Sequence, residues 1–356
     1  MRRPLSIGIA FGVVGMAGLL TGVIAENIGP APVPVPGGYT PDGILFIAIG
    51  PDGRVFRTDG INADKVVRVE PDGRTTVIAA GIQQLAGMAF DGQGDLFVSE
   101  NVEATGPALP VSGQIVEFRT DGTRQVIAKI ATPTSIAVDN QGLIYVVDGL
   151  TRVDRVMPDG AVETIAGDLQ IDPVGLAVGP SGALYITDQQ HDTVWIRNPD
   201  GEMRRIVEEG QVPNPKYLAV DKRGNVFVCQ NSFGFLPTGI VGNQQFLQVP
   251  VLVIDPTGHV HRLAVQANPG TFETQDVAVS DSGDLYLTDG SGVYVVRAPV
   301  PLAPVDSRAL WLLLLPVGVT LLVLGIFVAA IALFMGAVVR RAGPRSPGPA
   351  AGAPRG

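Results

Sequence analysis

Acidic and amide side chains recur in this chain at a fixed offset from a glycine. Asp59, Glu100, Asp148, Asp188, Gln230 and Asp289 lie six residues after Gly53, Gly94, Gly142, Gly182, Gly224 and Gly283, respectively. Two chemistries suit such a set: a ring of calcium ligands, or side chains that bond the backbone of a tight turn. Glu100 and Gln230 decide between them, because both precede a long loop where the other repeats have a short turn. Asp59, Asp148, Asp188 and Asp289 are therefore read as structural turn residues. The histidines are His191, in QHDTV, and His259 and His261, in GHVHRLAV. The last two project to one face of a strand and could hold a metal, but no third ligand lies nearby. Cys229 is the single cysteine, so no intramolecular disulfide forms, and its apolar run NVFVCQ reads as a buried small hydrophobe. GxSxG, HExxH, P-loop and paired-cysteine motifs are absent. No catalytic residue, metal or cofactor is assigned.

The elements that carry these residues repeat. Segments such as GMAFDGQGDLFVSE, SIAVDNQGLIYVVD, GLAVGPSGALYITD and DVAVSDSGDLYLTD read as two short β-runs around a glycine turn. A third and a fourth run follow, joined by PDG turns at Pro71–Gly73, Pro158–Gly160 and Pro199–Gly201. Four short antiparallel strands per repeat of about 40 residues mark a propeller blade. The expected fold is all-β: a six-bladed β-propeller of four-stranded blades over residues 44–297. The first strand of each blade should be innermost, covered on both faces by its neighbours.

Blades 2 and 5 carry insertions between their second and third strands, at residues 101–113 and 231–248. Such loops share a face with the fourth-to-first connections. Blades 2 and 5 are also three apart in a ring of six, so two flaps should face each other across the channel. Phe233, Phe235 and Phe246 lie in the larger flap, where two readings stay open: anchors for a partner, or a local core against the blade edge.

Blade 6 stops after its third strand, GVYVVRAPVP. Residues 26–43 form a Pro-rich segment with prolines at 30, 32, 34 and 36. They could supply the missing outermost strand, since alternate prolines would leave all the lost donors on the free edge. A stiff polyproline spacer is preferred, because repeated proline holds φ away from β values. Residues 298–308 read as a semi-rigid linker.

The two ends are apolar. Residues 1–25 combine Arg2 and Arg3 with an apolar run and small residues at Val23 and Ala25, a signal peptide cut after Ala25, with an N-terminal anchor as the alternative. Residues 309–339 contain no charge and exceed the roughly 20 residues a membrane span needs. Arg340, Arg341, Arg345 and Arg355 follow, so the tail 340–356 should be cytoplasmic and the propeller outside a cell membrane crossed once. Residues 26–308 hold 19 Lys and Arg against all 34 Asp and Glu, a net charge of −15. That opposes nucleic acid as a partner.

The pattern GLAV-x3-G-x-LY-[IV]-TD followed by QHDTVWIRNPDG resembles the NHL-repeat family of six-bladed propellers, and more widely the gluconolactonase-like and streptogramin-lyase-like propellers. The resemblance covers about Ile44 to Arg297 and implies the fold, with His191 part of its blade. Gluconolactonase-like members place a divalent metal in the channel. One matching place is the residue two before each LAV-type triplet: Leu45, Ala86, Thr134, Val174, Lys216 and Gln275. Only Gln275 could bind a hard cation well, and Lys216 would repel one, so that activity is not carried over. Streptogramin-lyase-like members rely on a catalytic histidine and a metal, for which nothing here points to a counterpart. The expected function is a membrane-tethered, extracytoplasmic module that recognises a protein, peptide or glycan through Phe233, Phe235 and Phe246 in the flap and Lys216, Gln275 and Thr134 at the channel rim. The alternative is a channel-sited hydrolase, lactonase or lyase.

Overall fold

Short runs rich in Val, Ile, Tyr, Phe and Thr, separated by glycine turns, favour strands over helices, and every regular element described in the computed structural model is a strand. The structure describes residues 30–304 apart from 44, 61–62, 103–111, 150, 168–169, 231–250, 264 and 266–273. The expected signal segment, membrane span and tail lie outside the described residues, as do Phe233, Phe235 and Phe246. Among the described residues no helix is long and apolar enough to cross a membrane.

Strand β1 is Val33–Pro34. Blade 1 contains β2 (Ile47–Ile49), β3 (Val55–Asp59), β4 (Lys65–Val69) and β5 (Thr75–Ala80). Blade 2 contains β6 (Leu85–Phe90), β7 (Leu96–Val102), β8 (Ser112–Phe118) and β9 (Arg124–Ile130). Blade 3 contains β10 (Pro133–Val138), β11 (Ile144–Asp148), β12 (Arg152–Val156) and β13 (Val162–Ala166). Blade 4 contains β14 (Pro173–Val178), β15 (Leu184–Asp188), β16 (Thr193–Arg197) and β17 (Met203–Arg205). Blade 5 contains β18 (Pro215–Val220), β19 (Val226–Gln230), β20 (Val251–Ile254) and β21 (Val260–Leu263). Blade 6 contains β22 (Asp276–Val279), β23 (Leu285–Thr288) and β24 (Val293–Val296), and the last strand is β25 (Leu302–Pro304). Each blade is an antiparallel meander. The inner strands contact one another in sequence, β2 to β6, β10, β14, β18 and β22, and β22 returns to β2. The fold is thus an all-β, six-bladed propeller.

The core is divided among the seams between blades. Val147, Leu176 and Ile186 fill the seam of blades 3 and 4, while Val228, Ile254 and Val194 fill that of blades 4 and 5. The blades come closest near the axis, which explains the small residue in each LAV-type triplet: Ala48, Ala89, Ala137, Ala177, Ala219 and Ala278. Gly87 and Gly175 take this further, since a Cβ at either would run into the Thr134 or Lys216 carbonyl of the next blade. The turn glycines need their residue type for another reason: Gly53, Gly94, Gly142, Gly182, Gly224 and Gly283 all have positive φ.

Two Pro-rich segments depart from the expected spacers. Val33 and Pro34 pair with Val295 and Tyr294, so β1 is the outermost strand of blade 6. The Val35 N–H donates inward to Val293 O at 2.8 Å. Proline is compatible here because the donors it lacks are those of the free edge. Arg57, almost fully buried, holds the segment that follows, donating to the Gly37 and Tyr39 carbonyls at 3.4 Å each. Within the expected linker, Leu302–Pro304 adds a fifth strand to blade 5 by pairing with β21. An open rim edge supplies the partners an extended passing chain needs. The insertion of blade 2 begins by lengthening its hairpin, with Val102 opposite Ser112.

Candidate ligand site at the channel mouth

All six inner strands run the same way, so their first residues share one end of the channel. Leu45, Ala86, Thr134, Val174, Lys216 and Gln275 stand there. Lys216 Nζ donates to Gln275 Oε1 at 3.1 Å, from blade 5 to blade 6, and lies 5.3 Å from the Tyr217 ring centroid. Both residues are half-buried. Thr134, on blade 3, donates its hydroxyl to Val147 O at 3.5 Å and does not join them.

Below Lys216, Tyr217 of blade 5 meets Phe46 of blade 1 edge to face, with ring centroids 5.3 Å apart. Blade 6 separates those blades in sequence around the ring, so the two rings meet in front of its inner strand. Asp276 sits on that strand. Its Oδ2 accepts the Ile47 N–H at 3.0 Å and its Oδ1 the Val277 N–H at 2.8 Å. Burial pushes its carboxyl up to about 7, against the pull of those two donors and of Lys216. Burial likewise pushes the Tyr217 hydroxyl up, helped by the Asp276 charge, and raises the Cys229 thiol to about 12. A cavity of about 240 Å³ continues along the axis between the inner strands.

Cys229 belongs to a set that recurs in the sequence one position before each acidic or amide residue. The residue before each recurrent carboxylate or amide is Thr58, Ser99, Val147, Thr187, Cys229 or Thr288, all essentially fully buried. Ser99 Oγ and Thr187 Oγ1 donate to the Thr134 and Lys216 carbonyls of the next blade at 2.7 Å. Cys229 Sγ donates to the Tyr217 carbonyl at 3.2 Å and approaches that of Gln275 at 3.8 Å. Thr58 Oγ1 accepts the Leu45 and Phe46 N–H groups. Blade 3 has Val147, and there Ser135 on the inner strand takes the Leu176 N–H at 3.0 Å instead. Polar side chains thus stitch neighbouring inner strands at the mouth. The sequence signal was a Ser, Thr or Cys recurring just before the acidic position. Asp276 precedes its triplet by one residue, where the other blades have Phe46, Gly87, Ser135, Gly175 and Tyr217, and it is the one carboxylate among the six.

The recurrent carboxylates lie at the same end. Asp188 Oδ1 accepts the N–H of Asp172, Gln190 and His191 at 3.1, 3.0 and 3.4 Å. Its Oδ2 receives His191 Nδ1 at 2.8 Å and Trp195 Nε1 at 3.0 Å. Asp289 Oδ1 accepts the Ser291 and Gly292 N–H groups of its turn. Asp148 accepts the Thr132 N–H at 2.7 Å and pairs with Arg152. Asp59 accepts from Thr40 Oγ1 at 2.8 Å and pairs with Arg57 at 3.1 Å. Glu100 also takes a backbone N–H, that of Gln83 at 3.0 Å. It therefore ties down the connection before its own inner strand, as Asp148 and Asp188 do. The exchange of Asp for Glu beside the insertion changes reach and leaves this task in place.

The residues present at the mouth do not fit a divalent cation. Such an ion needs several oxygen ligands, whereas among the described residues the rim offers an ammonium, one amide already engaged with it, the Thr134 hydroxyl bonded to Val147 O, and apolar side chains. Asp276 is committed to two backbone donors. His261 Nε2 bonds Asp255 Oδ2 at 3.0 Å and His259 Nδ1 bonds Thr257 Oγ1 at 2.7 Å, in and beside the outer hairpin of blade 5. No group of three potential ligands gathers among the described residues.

Comparison with solved structures bears on the fold. A gluconolactonase from Xanthomonas campestris is 18% identical, with 77% of this chain and 98% of that one covered and a TM-score of 0.54. The calcium-binding protein regucalcin from Agrobacterium tumefaciens is 12% identical, covering 78% and 96%, with a TM-score of 0.55. A streptogramin B lyase is 14% identical, covering 74% and 80%, with a TM-score of 0.51. At these identities the likeness establishes the six-bladed architecture and not the chemistry. The chain matches no protein-family model and no curated protein by sequence.

Proposed function

We propose that this chain is a membrane-tethered, extracytoplasmic propeller that binds a protein, peptide or glycan at the mouth of its channel. The observation that carries the reading is the Lys216–Gln275 pair, a cation and an amide gathered from two blades at a half-buried opening. The uncharged stretch 309–339 and the arginines after it support the tether. Fold likeness alone favours the enzymatic alternative, a metal-dependent hydrolase, lactonase or lyase, and the donors at the rim argue against it.

Synthetic peptide and glycan arrays probed with the purified full-length chain test the reading. Specific ligands are expected, and Val174→Trp, which fills the mouth, should abolish their capture. Capture unaffected by that change, or metal-dependent turnover of lactones or esters, would overturn it.

A further inference from the structure

We propose that Lys216 and Gln275 form a receptor for the C-terminal carboxylate of a peptide. The proposal rests on the reading of the mouth as the binding site and names the chemistry of its ligand.

A lysine ammonium has three N–H donors and no acceptor. The Gln275 amide must therefore turn its oxygen to Lys216, as it does at 3.1 Å, and this turns its NH₂ group away. Among the described contacts that NH₂ has no partner. The remaining Lys216 donors have none either, beyond the Tyr217 ring face. Two sets of donors on adjacent blades are thus oriented by their own bond and left open. Ion pairs engage many cations of this acidic domain, among them Arg57, Arg124, Arg152 and Lys222. Lys216 forms none among the described residues, although it is half-buried. The adjacent Asp276 does not supply one, because its oxygens face Ile47 and Val277.

A carboxylate completes this arrangement. It offers two acceptor oxygens, one for the ammonium and one for the amide NH₂, and a single charge to match a single cation. The remaining rim positions say what is attached to it. Leu45, 46% exposed, presents a large apolar surface, and Ala86 and Val174 are apolar too. The Thr134 hydroxyl already donates to Val147. An acidic sugar would bring a ring of hydroxyls that these groups cannot partner. A peptide end brings one carboxylate next to a side chain that can be apolar.

Fluorescence anisotropy of the full-length chain with a pool of fluorescein-labelled tetrapeptides, ending in a free carboxylate or in an amide, tests the proposal. The free-acid pool should bind saturably, and the amidated pool about tenfold more weakly or worse, as loss of a charge-assisted contact implies. Lys216→Met should erase the preference, Gln275→Leu should reduce it, and Lys216→Arg should keep part of it. Melting curves of each variant identify any that fails to fold, and the conclusion then rests on those that do. Equal binding of both pools, or a preference that survives Lys216→Met, would overturn the proposal. So would binding of glucuronate without binding of either pool. Array ligands that need an open mouth but ignore Lys216 would overturn it while leaving the broader reading in place.

Discussion

The carboxylate of Asp276 accepts the backbone N–H of Ile47 at 3.0 Å and so joins the last blade to the first, across 229 residues of sequence. The ring closes at this seam, with β1 pairing on the outside and Asp276 bonding on the inside. Because Asp276 is fully buried, its carboxyl rises from an ordinary value of 3.8 to about 7. Between those values the folded state holds a proton that the unfolded state does not. Stability is therefore greatest at the acid end and falls as pH rises through that window, at up to about 1.4 kcal/mol per pH unit. Urea unfolding at pH 5 and pH 6.5 should show a drop of roughly 2 kcal/mol in excess of that seen in Asp276→Asn. Parallel pH dependence in the two proteins would refute this.

Asp188 collects donors from the turn after it, from the connection before the inner strand of its blade and from two side chains. Burial would raise its carboxyl, but the bonds from Trp195, the Asp172 backbone and His191 outweigh it and hold it below its ordinary value. Asp188→Ala leaves these buried donors unpaired and should cost about 3 kcal/mol or more, against about 1 kcal/mol for His191→Ala. Chemical denaturation of both variants measures the difference, and equal costs would show that the carboxylate does not organise the cluster.

Closure by β1 predicts that the N-terminal segment contributes to stability. Removing residues 26–37 breaks the pairing with β24 and frees the Arg57 donors to Gly37. The melting temperature should fall by about 5 °C or more, given about 2–4 °C per kcal/mol in a domain of this size. An unchanged melting temperature would mean that the strand is not part of the working fold.

Cys229 should be chemically silent. Its thiol is fully buried and raised to about 12 by that burial, and the thiolate is the reactive form. A disulfide reagent should leave the native protein unmodified and label it only after unfolding. Cys229→Ser places the hydroxyl that Ser99 already supplies in its own blade, and should be tolerated within about 1 kcal/mol. Fast labelling of the native protein would contradict this assignment.

Much of the ring was readable from sequence because each blade repeats the same local solution: a glycine at positive φ, a small residue near the axis and an acidic or amide residue near the end of the second strand. Blade number and strand order follow from local signals repeated six times. The Pro-rich segments were harder. Proline dihedrals argue for spacers, and only the open edges of β24 and β21, set by tertiary structure, turn them into strands. At the mouth, Lys216, Gln275 and Thr134 could be named from their offset, but nothing local says that the first two meet and the third does not. The bond between Asp276 and Ile47 depends wholly on ring closure, so no window of sequence contains both partners.

We propose that this propeller acts as a binding module rather than as a metal-dependent catalyst. Calcium titration of the purified full-length chain by calorimetry, paired with melting curves, tests it most directly. With Lys216 and Gln275 at the rim and Asp276 bonded to backbone, the account predicts no saturable binding and no rise in melting temperature. One equivalent of calcium bound tightly, with a marked rise in melting temperature, would contradict it.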